Sequence, residues 1–264
     1  MIELLSRDEE LKKIYRYVWS PCEPMFYRPN LYIHSNRVEW LAFEIAKTLI
    51  SISPKIREKI DLDFIRELAK FHDDAELITW DFISLDKESF SDEKRKEYEE
   101  NCQNAISILY ENYWNIYSKF NYKELLEIHE TKEWLAFKIV DFADKLDAHL
   151  EVCHELFAWN RGFFIKLEKW GLNVDVFDYT KNKLKKILPQ ILAELSLENE
   201  KLDFKNTFLD LSWDFNSQFC LGNSRIPTEE SLKKQTWYNL YDLRIKLHFK
   251  SENKKYLNYL INRV

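Results

Sequence analysis

Only six histidines occur in the 264 residues, and two of them sit in settings that suit chemistry. His72 and Asp73 are adjacent in FHDDAELITWD, with Glu76 four residues beyond His72. His34 lies upstream in LYIHSNRVEWLA, and Asp144 lies downstream in KIVDFADKLDAHLE. Neutral imidazole nitrogens and carboxylate oxygens together suit one divalent transition metal ion, whether Mn, Co, Fe, Ni or Zn. Such an ion acidifies a bound water and polarises a phosphoryl oxygen. A further acid one helical turn along, Glu76, can hold the attacking water or pass its proton to a leaving group. Each piece alone is weak, because a lone inward histidine is more often a hydrogen-bonded core residue. Asp141 and Asp147 also compete with Asp144 at helical spacing. Two inward imidazoles and two acids on neighbouring helices are nevertheless what a metal site in a bundle core needs.

Helices must do the positioning. Val38, Leu41, Ala42, Ile45 and Leu49 follow helical spacing, and His34 extends their stripe by one turn, with Pro54 closing the segment. A second helix is expected over 63–78, with Ile65, Leu68 and Ala75 inward and Arg66, Glu67, Lys70 and Asp74 outward. A third runs from Ser91, its cap, to about Tyr110, and a fourth and longest from Lys132 to about Trp159. Beyond Gly162, Leu184, Ile187, Leu188, Ile191, Leu192 and Leu195 mark another amphipathic helix. A loop over Cys220–Pro227 then leads to a last helical region from Thr228. The expected division is a helical core over 1–165 and a helical C-terminal extension over 166–264 packed on that core, without a flexible linker between them.

Composition agrees with an all-α fold. Three glycines and six prolines leave little material for the tight turns of sheets or for phosphate-cradling loops. A hydrophobic fraction of 45% can fill a core, which excludes disorder. The net charge of −6 argues against a nucleic-acid partner. No run of 18 apolar residues exists, and the opening MIELLSRDEELKK is too acidic for a signal peptide. The four cysteines form no C-x-x-C pair, and a cytoplasmic protein with reduced thiols is expected. His149 and His154, near Cys153, are spaced poorly for a second metal site, and His129 reads as a surface or capping residue. The basic TKNKLKKIL segment reads as a solvated helix face, and its apolar stripe, with the C-terminal aromatics, serves the core or a homodimer contact. P-loop, nucleophile-elbow and zinc-ribbon motifs are absent.

The order His34, His72-Asp73, Asp144 resembles the H…HD…D signature of the HD superfamily of metal-dependent phosphohydrolases. More narrowly, HDDAELITWD is similar to the H-D-x-x-E-x-x-x-x-D segment of the bacterial HD-type 5′-deoxynucleotidases, and IHSNRVEWLA and FADKLDAHLE resemble their flanking helices. The likeness spans about residues 14–158. It implies an HD-domain helical bundle in which His34, His72, Asp73 and Asp144 hold the metal. It further implies that Glu76 activates water and that Asp81 contacts the leaving group or sugar. Asp81 is nine residues after His72 and would face away on a continued helix, so a break near Thr79 or Trp80 is expected.

The family's nucleotide-contacting Arg-Trp pair has Arg16-Tyr17, with Trp19 beyond, as its counterpart here. Arg28 is a rival phosphate partner, nearer to His34. Ile33 stands where a Glu commonly precedes the first histidine, and the C-terminal extension has no counterpart in compact members. The implied function is release of phosphate from a (deoxy)nucleoside monophosphate, a small-molecule nucleotide substrate. The alternatives are a dNTP triphosphohydrolase or signalling-nucleotide phosphodiesterase on the same site, and a non-catalytic regulatory protein that keeps the metal as a clamp.

Overall fold

A computed structural model describes residues 6–16, 29–79, 87, 90–113, 119–131, 134–157, 167–169, 172–174 and 176–197, and among them the fold is all-α with one short hairpin. Helix α1 (Arg7–Leu11) begins where the Ser6 side chain accepts from the Glu9 amide. Helix α2 (Leu31–Ile52) begins at Asn30, whose side chain accepts from the Ile33 amide and satisfies one of the orphan donors of the first turn. Its predicted stripe is the core: Val38, Leu41, Ala42, Ile45 and Leu49 are all buried. Pro54 ends it as expected and opens a 3₁₀ turn over Pro54–Lys59. Helix α3 (Leu62–Phe71) is capped by Asp61, which accepts from Asp63 and Phe64 amides. It packs along α2 and buries Ile65, Leu68, Ala69 and Phe71. Full burial of each large side chain contributes about 1.5–3 kcal/mol, so this seam is the main anchor of the site.

Helix α4 (Glu76–Thr79) is one turn long, and α5 (Asp92–Tyr113) starts at Ser91, whose Oγ accepts from the Lys94 amide at 3.3 Å. Cys102, Ala105, Ile106 and Leu109 form the buried face of α5. Helix α6 (Tyr122–Thr131) packs against both α3 and α5. Helix α7 runs over Leu135–Phe157. Sequence periodicity misses α1, which is short, and α6, and merges the start of α7 with the residues before it.

Strands β1 (Leu167–Lys169) and β2 (Leu172–Val174) pair antiparallel, Leu167 opposite Val174, and are likewise unforeseen. Helix α8 (Val176–Leu195) buries Leu184, Ile187, Ile191 and Leu195 despite an internal Pro189. It closes with Ser196 at φ 58, the Leu197 amide bonding back to the Leu192 carbonyl and the Ser196 amide to Ala193. That is the glycine-type helix ending made by a serine. Described residues up to Asp144, with Gln190–Leu197, form one compact unit, and those over Lys145–Pro189 belong to a second.

No helix among the described residues is long and apolar enough to cross a membrane. Trp19, Arg28 and Asp81 lie outside the described residues, as do the loop over 220–227 and the helix from Thr228.

Candidate metal centre

The H-D pair sits on a turn, not within a helix. Helix α3 ends at Phe71, and the chain turns through His72–Ala75 before re-entering helix at Glu76. Helix α4 ends at Thr79, where a break is expected, but an earlier and unforeseen break comes at His72–Ala75. The cause is Asp74, which the periodicity assigns to solvent but which is fully buried. Arg7 grips its carboxylate with two prongs, Nε to Oδ2 at 2.6 Å and Nη2 to Oδ1 at 2.5 Å. The Tyr122 hydroxyl donates to the same Oδ2 at 2.6 Å.

The backbone changes to match. The Asp74 amide bonds to the Phe71 carbonyl at 3.1 Å, one residue nearer than in an α-helix. The Lys70 carbonyl, the helical acceptor for that amide, receives Arg7 Nη2 at 2.6 Å. Arg7 also stacks over Phe71, 4.7 Å from the ring centre. Burial opposes the charged guanidinium, yet Asp74 outweighs it and raises the Arg7 pKa above its ordinary value. Burial and the Asp74 charge push the Tyr122 phenol up as well.

This turn aims two side chains at one point. His72 is buried, and its Nδ1 donates to the Ala69 carbonyl at 2.7 Å, which leaves the lone pair of the neutral ring on Nε2. His34, on the first turn of α2 and wholly buried, brings its Nε2 to 3.1 Å from His72 Nε2. Asp73 Oδ2 lies 3.1 Å from His34 Nε2 and 3.3 Å from His72 Nε2. Asp144 Oδ1, from α7, lies 3.2 Å from His34 Nε2. Ligand-type atoms of His34, His72 and Asp144 all fall within 4.8 Å of one another. Burial alone would raise the Asp73 carboxyl, but His72 and His34, when protonated, hold it well below the usual carboxylate range by charge and hydrogen bonds, a place that a cation would take beside neutral rings.

Two features of this cluster fit a divalent cation. Ligand atoms about 2.0–2.2 Å from one ion are spaced about 2.9–3.5 Å from each other, and the distances above fall in that window. Proton counting points the same way. With both rings neutral and the lone pair of His72 facing inward, at most one proton, on His34 Nε2, is present for its three neighbours, and it can be donated to only one of them. The other contacts set lone pair against lone pair, which a cation offsets.

Three further groups sit in the same unit. The Arg16 amide bonds to the Pro29 carbonyl at 3.0 Å and the Leu31 amide to the Ile14 carbonyl at 2.9 Å, a two-rung bridge that ties residues 14–16 to the start of α2. The bridge delivers the buried Arg16 guanidinium to 3.9 Å from Asp144 Oδ1. Glu76 is buried at the head of α4, and its amide bonds to the Asp73 carbonyl at 2.9 Å. Lys87 Nζ lies 3.5 Å from Glu76 Oε1, a cation that sequence reasoning missed because nothing in its local pattern marks it.

His129, expected on the surface, lies partly buried on α6 with its ring centre 6.0 Å from that of His72 and 5.2 Å from that of Phe137. His149 takes no part here: it is buried, and its Nδ1 donates to Thr180 Oγ1 at 2.8 Å, while that hydroxyl donates to the Val176 carbonyl. The side chains of Cys153 and His154 lie outside the described residues.

The family model described as 5′-deoxynucleotidase YfbR-like matches residues 5–191 of the chain. Among solved structures, a conserved hypothetical protein from Pyrococcus furiosus is similar at 22% identity, over 72% of this chain and 95% of that one, with a TM-score of 0.46. No curated protein matches the chain.

Proposed function

The chain belongs to the 5′-deoxynucleotidase YfbR-like family, and from that premise we propose that it is a metal-dependent 5′-nucleotidase that releases orthophosphate from (deoxy)nucleoside monophosphates. The observation that carries the proposal is the convergence of His34 Nε2, His72 Nε2, Asp73 Oδ2 and, through His34, Asp144 Oδ1 at 3.1–3.3 Å. These four residues would hold one divalent ion, Mn, Co, Fe, Ni or Zn. When bound, the ion supplies charge that acidifies water and draws electrons from the phosphoryl group.

The protein's own groups do the rest. Arg16, held beside Asp144 by the bridge to α2, presents a forked donor to the phosphate and neutralises its charge. Glu76, one turn from Asp73, accepts the proton of the attacking water as its oxygen forms the bond to phosphorus. The P–O5′ bond breaks, and the 5′-oxygen leaves with the electron pair and takes a proton, the role the sequence resemblance gives to Asp81. Trp19 and Arg28 are the further candidates for nucleotide contacts, and the chain from 166 on is read as an extension of the 1–165 core.

A panel of 5′-monophosphates incubated with purified protein and Mn²⁺ or Co²⁺ tests this by release of orthophosphate. Asp73→Ala should abolish release, and Glu76→Ala should lower kcat about 10²- to 10⁴-fold, the usual worth of a general base. Tripolyphosphate from a dNTP, or a linear product from a cyclic nucleotide, would move the substrate class while keeping the site. Metal binding near unit stoichiometry without turnover of any phosphate ester would make the protein a regulatory one.

A further inference from the structure

A general base needs a fixed orientation, which bears on Glu76. Its side chain is only 10% exposed, and a buried carboxylate free to rotate would accept a water proton from many wrong directions. Lys87, eleven residues on, sets its ammonium 3.5 Å from Oε1. Tyr98 of α5 holds that ammonium from another side, with Nζ 5.2 Å from its ring centre, a cation–π distance. Helix α4, which begins with Glu76, packs against α5, so the carboxylate and the aromatic ring are tied to one scaffold and the lysine joins them. Burial, the largest single influence, would lower the lysine pKa, but the charge of Glu76 together with Tyr98 and the Asp73 charge raises it above its ordinary value.

We propose that Lys87 is a positioning residue: its ammonium occupies Oε1 of Glu76 and fixes the carboxylate in the orientation that receives the proton of the attacking water. This assignment rests on the reading of Glu76 as the base. A lysine placed instead to bind the substrate phosphate would be felt mainly in KM. One that aligns the base is felt in kcat, because the aligned carboxylate matters only as the water attacks.

The test is a double-mutant cycle on the intact chain, with Mn²⁺ as the added metal and steady-state phosphate release as the readout. Lys87→Met should lower kcat about 10- to 100-fold with KM changed less than about twofold, the range seen when an outer partner of a reacting group is lost. Lys87→Arg, which keeps the charge, should restore most of the rate. In a Glu76→Gln background, Lys87→Met should cost nothing further, since the group through which it acts is already gone. Circular dichroism checks that each variant is folded, and Lys87→Gln replaces the methionine variant if that one is not.

An unchanged kcat in folded Lys87→Met, a loss confined to KM, or a full additional loss in the Glu76→Gln background would each overturn the proposal while leaving the nucleotidase reading intact. An active wild type with an equally active Glu76→Gln would remove Glu76 as the base, and the positioning role with it. A wild type inert toward every monophosphate would overturn both.

Discussion

Arg7 and Asp74, 67 positions apart, close a two-pronged ion pair in which the carboxylate is wholly buried and also receives the Tyr122 hydroxyl. The pair lies beside the catalytic candidates in sequence: Asp74 follows Asp73 directly, and Arg7 also takes the Lys70 carbonyl one turn earlier. The contact thus links the stability of the fold to the aim of His72 and Asp73, because the turn carrying them depends on it.

Removing one partner of a buried pair leaves an uncompensated charge and costs about 3–5 kcal/mol. Arg7→Met should therefore lower the melting temperature by roughly 10 °C, at about 2–4 °C per kcal/mol for a domain of this size. Tyr122→Phe, which deletes one hydrogen bond to a charged group, should cost about 1.5–3 kcal/mol. Thermal unfolding followed by circular dichroism measures both. A melting temperature for Arg7→Met equal to wild type would show that the turn does not need the pair.

The cluster of imidazoles and carboxylates makes a prediction that needs no substrate. A cation that binds the folded chain alone stabilises it by about 2.7 kcal/mol at 100 times its dissociation constant. Mn²⁺ or Co²⁺ should raise the melting temperature of the chelator-treated protein, and chelation should abolish phosphate release. His34→Gln and Asp73→Asn should lose the thermal response, because each removes a group that lies within 3.3 Å of its neighbours in the cluster. A full thermal response in both variants would place the ion elsewhere.

The histidines of this cluster were legible because the type is scarce in the chain, Asp73 and Asp144 were picked out only by the resemblance of the H…HD…D order, and the stripe Val38 to Leu49 made the helix that carries His34 visible by period alone. The turn was not legible. Helical periodicity continues smoothly through HDDAE, and only the partner 67 residues away decides that Asp74 goes inward and that the helix stops at Phe71. Lys87 and His129 escaped for the same reason: each matters through a neighbour brought by the fold, to Glu76 and to the His72 ring, and neither has a local pattern. Helix α1 is too short, at 5 residues, for its spacing to stand out.

Arg16 offers a test of substrate geometry. Its guanidinium is buried and sits 3.9 Å from Asp144 Oδ1, so it is aimed by the bridge between Tyr15 and Asn30 before any ligand arrives. A lysine keeps the charge but not the planar fork. Arg16→Lys should raise KM for a nucleoside monophosphate about tenfold, worth about 1.4 kcal/mol, with a smaller change in kcat. Isothermal titration with inorganic phosphate as the ligand gives an independent reading. Equal phosphate affinity in wild type and Arg16→Lys would shift the phosphate contact to another cation, with Arg28 first in line.

His149 predicts how stability depends on pH. Burial, with a smaller contribution from the Lys181 charge, lowers its pKa from 6.5 to about 4. The unfolded chain therefore takes up a proton near pH 6.5 that the folded chain refuses until about pH 4. Between those values the unfolded state binds more protons, so stability falls as the pH falls, and this contribution is fully present only above the unfolded value. At pH 5 the loss amounts to about 2 kcal/mol relative to pH 8. In His149→Leu the Thr180 hydroxyl keeps its bond to the Val176 carbonyl, so the variant removes the titration without stranding that group. Denaturant unfolding at pH 8 and pH 5 should show a smaller drop for the variant than for wild type, by about that amount. Equal drops would mean that His149 takes up its proton in the folded protein as readily as in the unfolded chain.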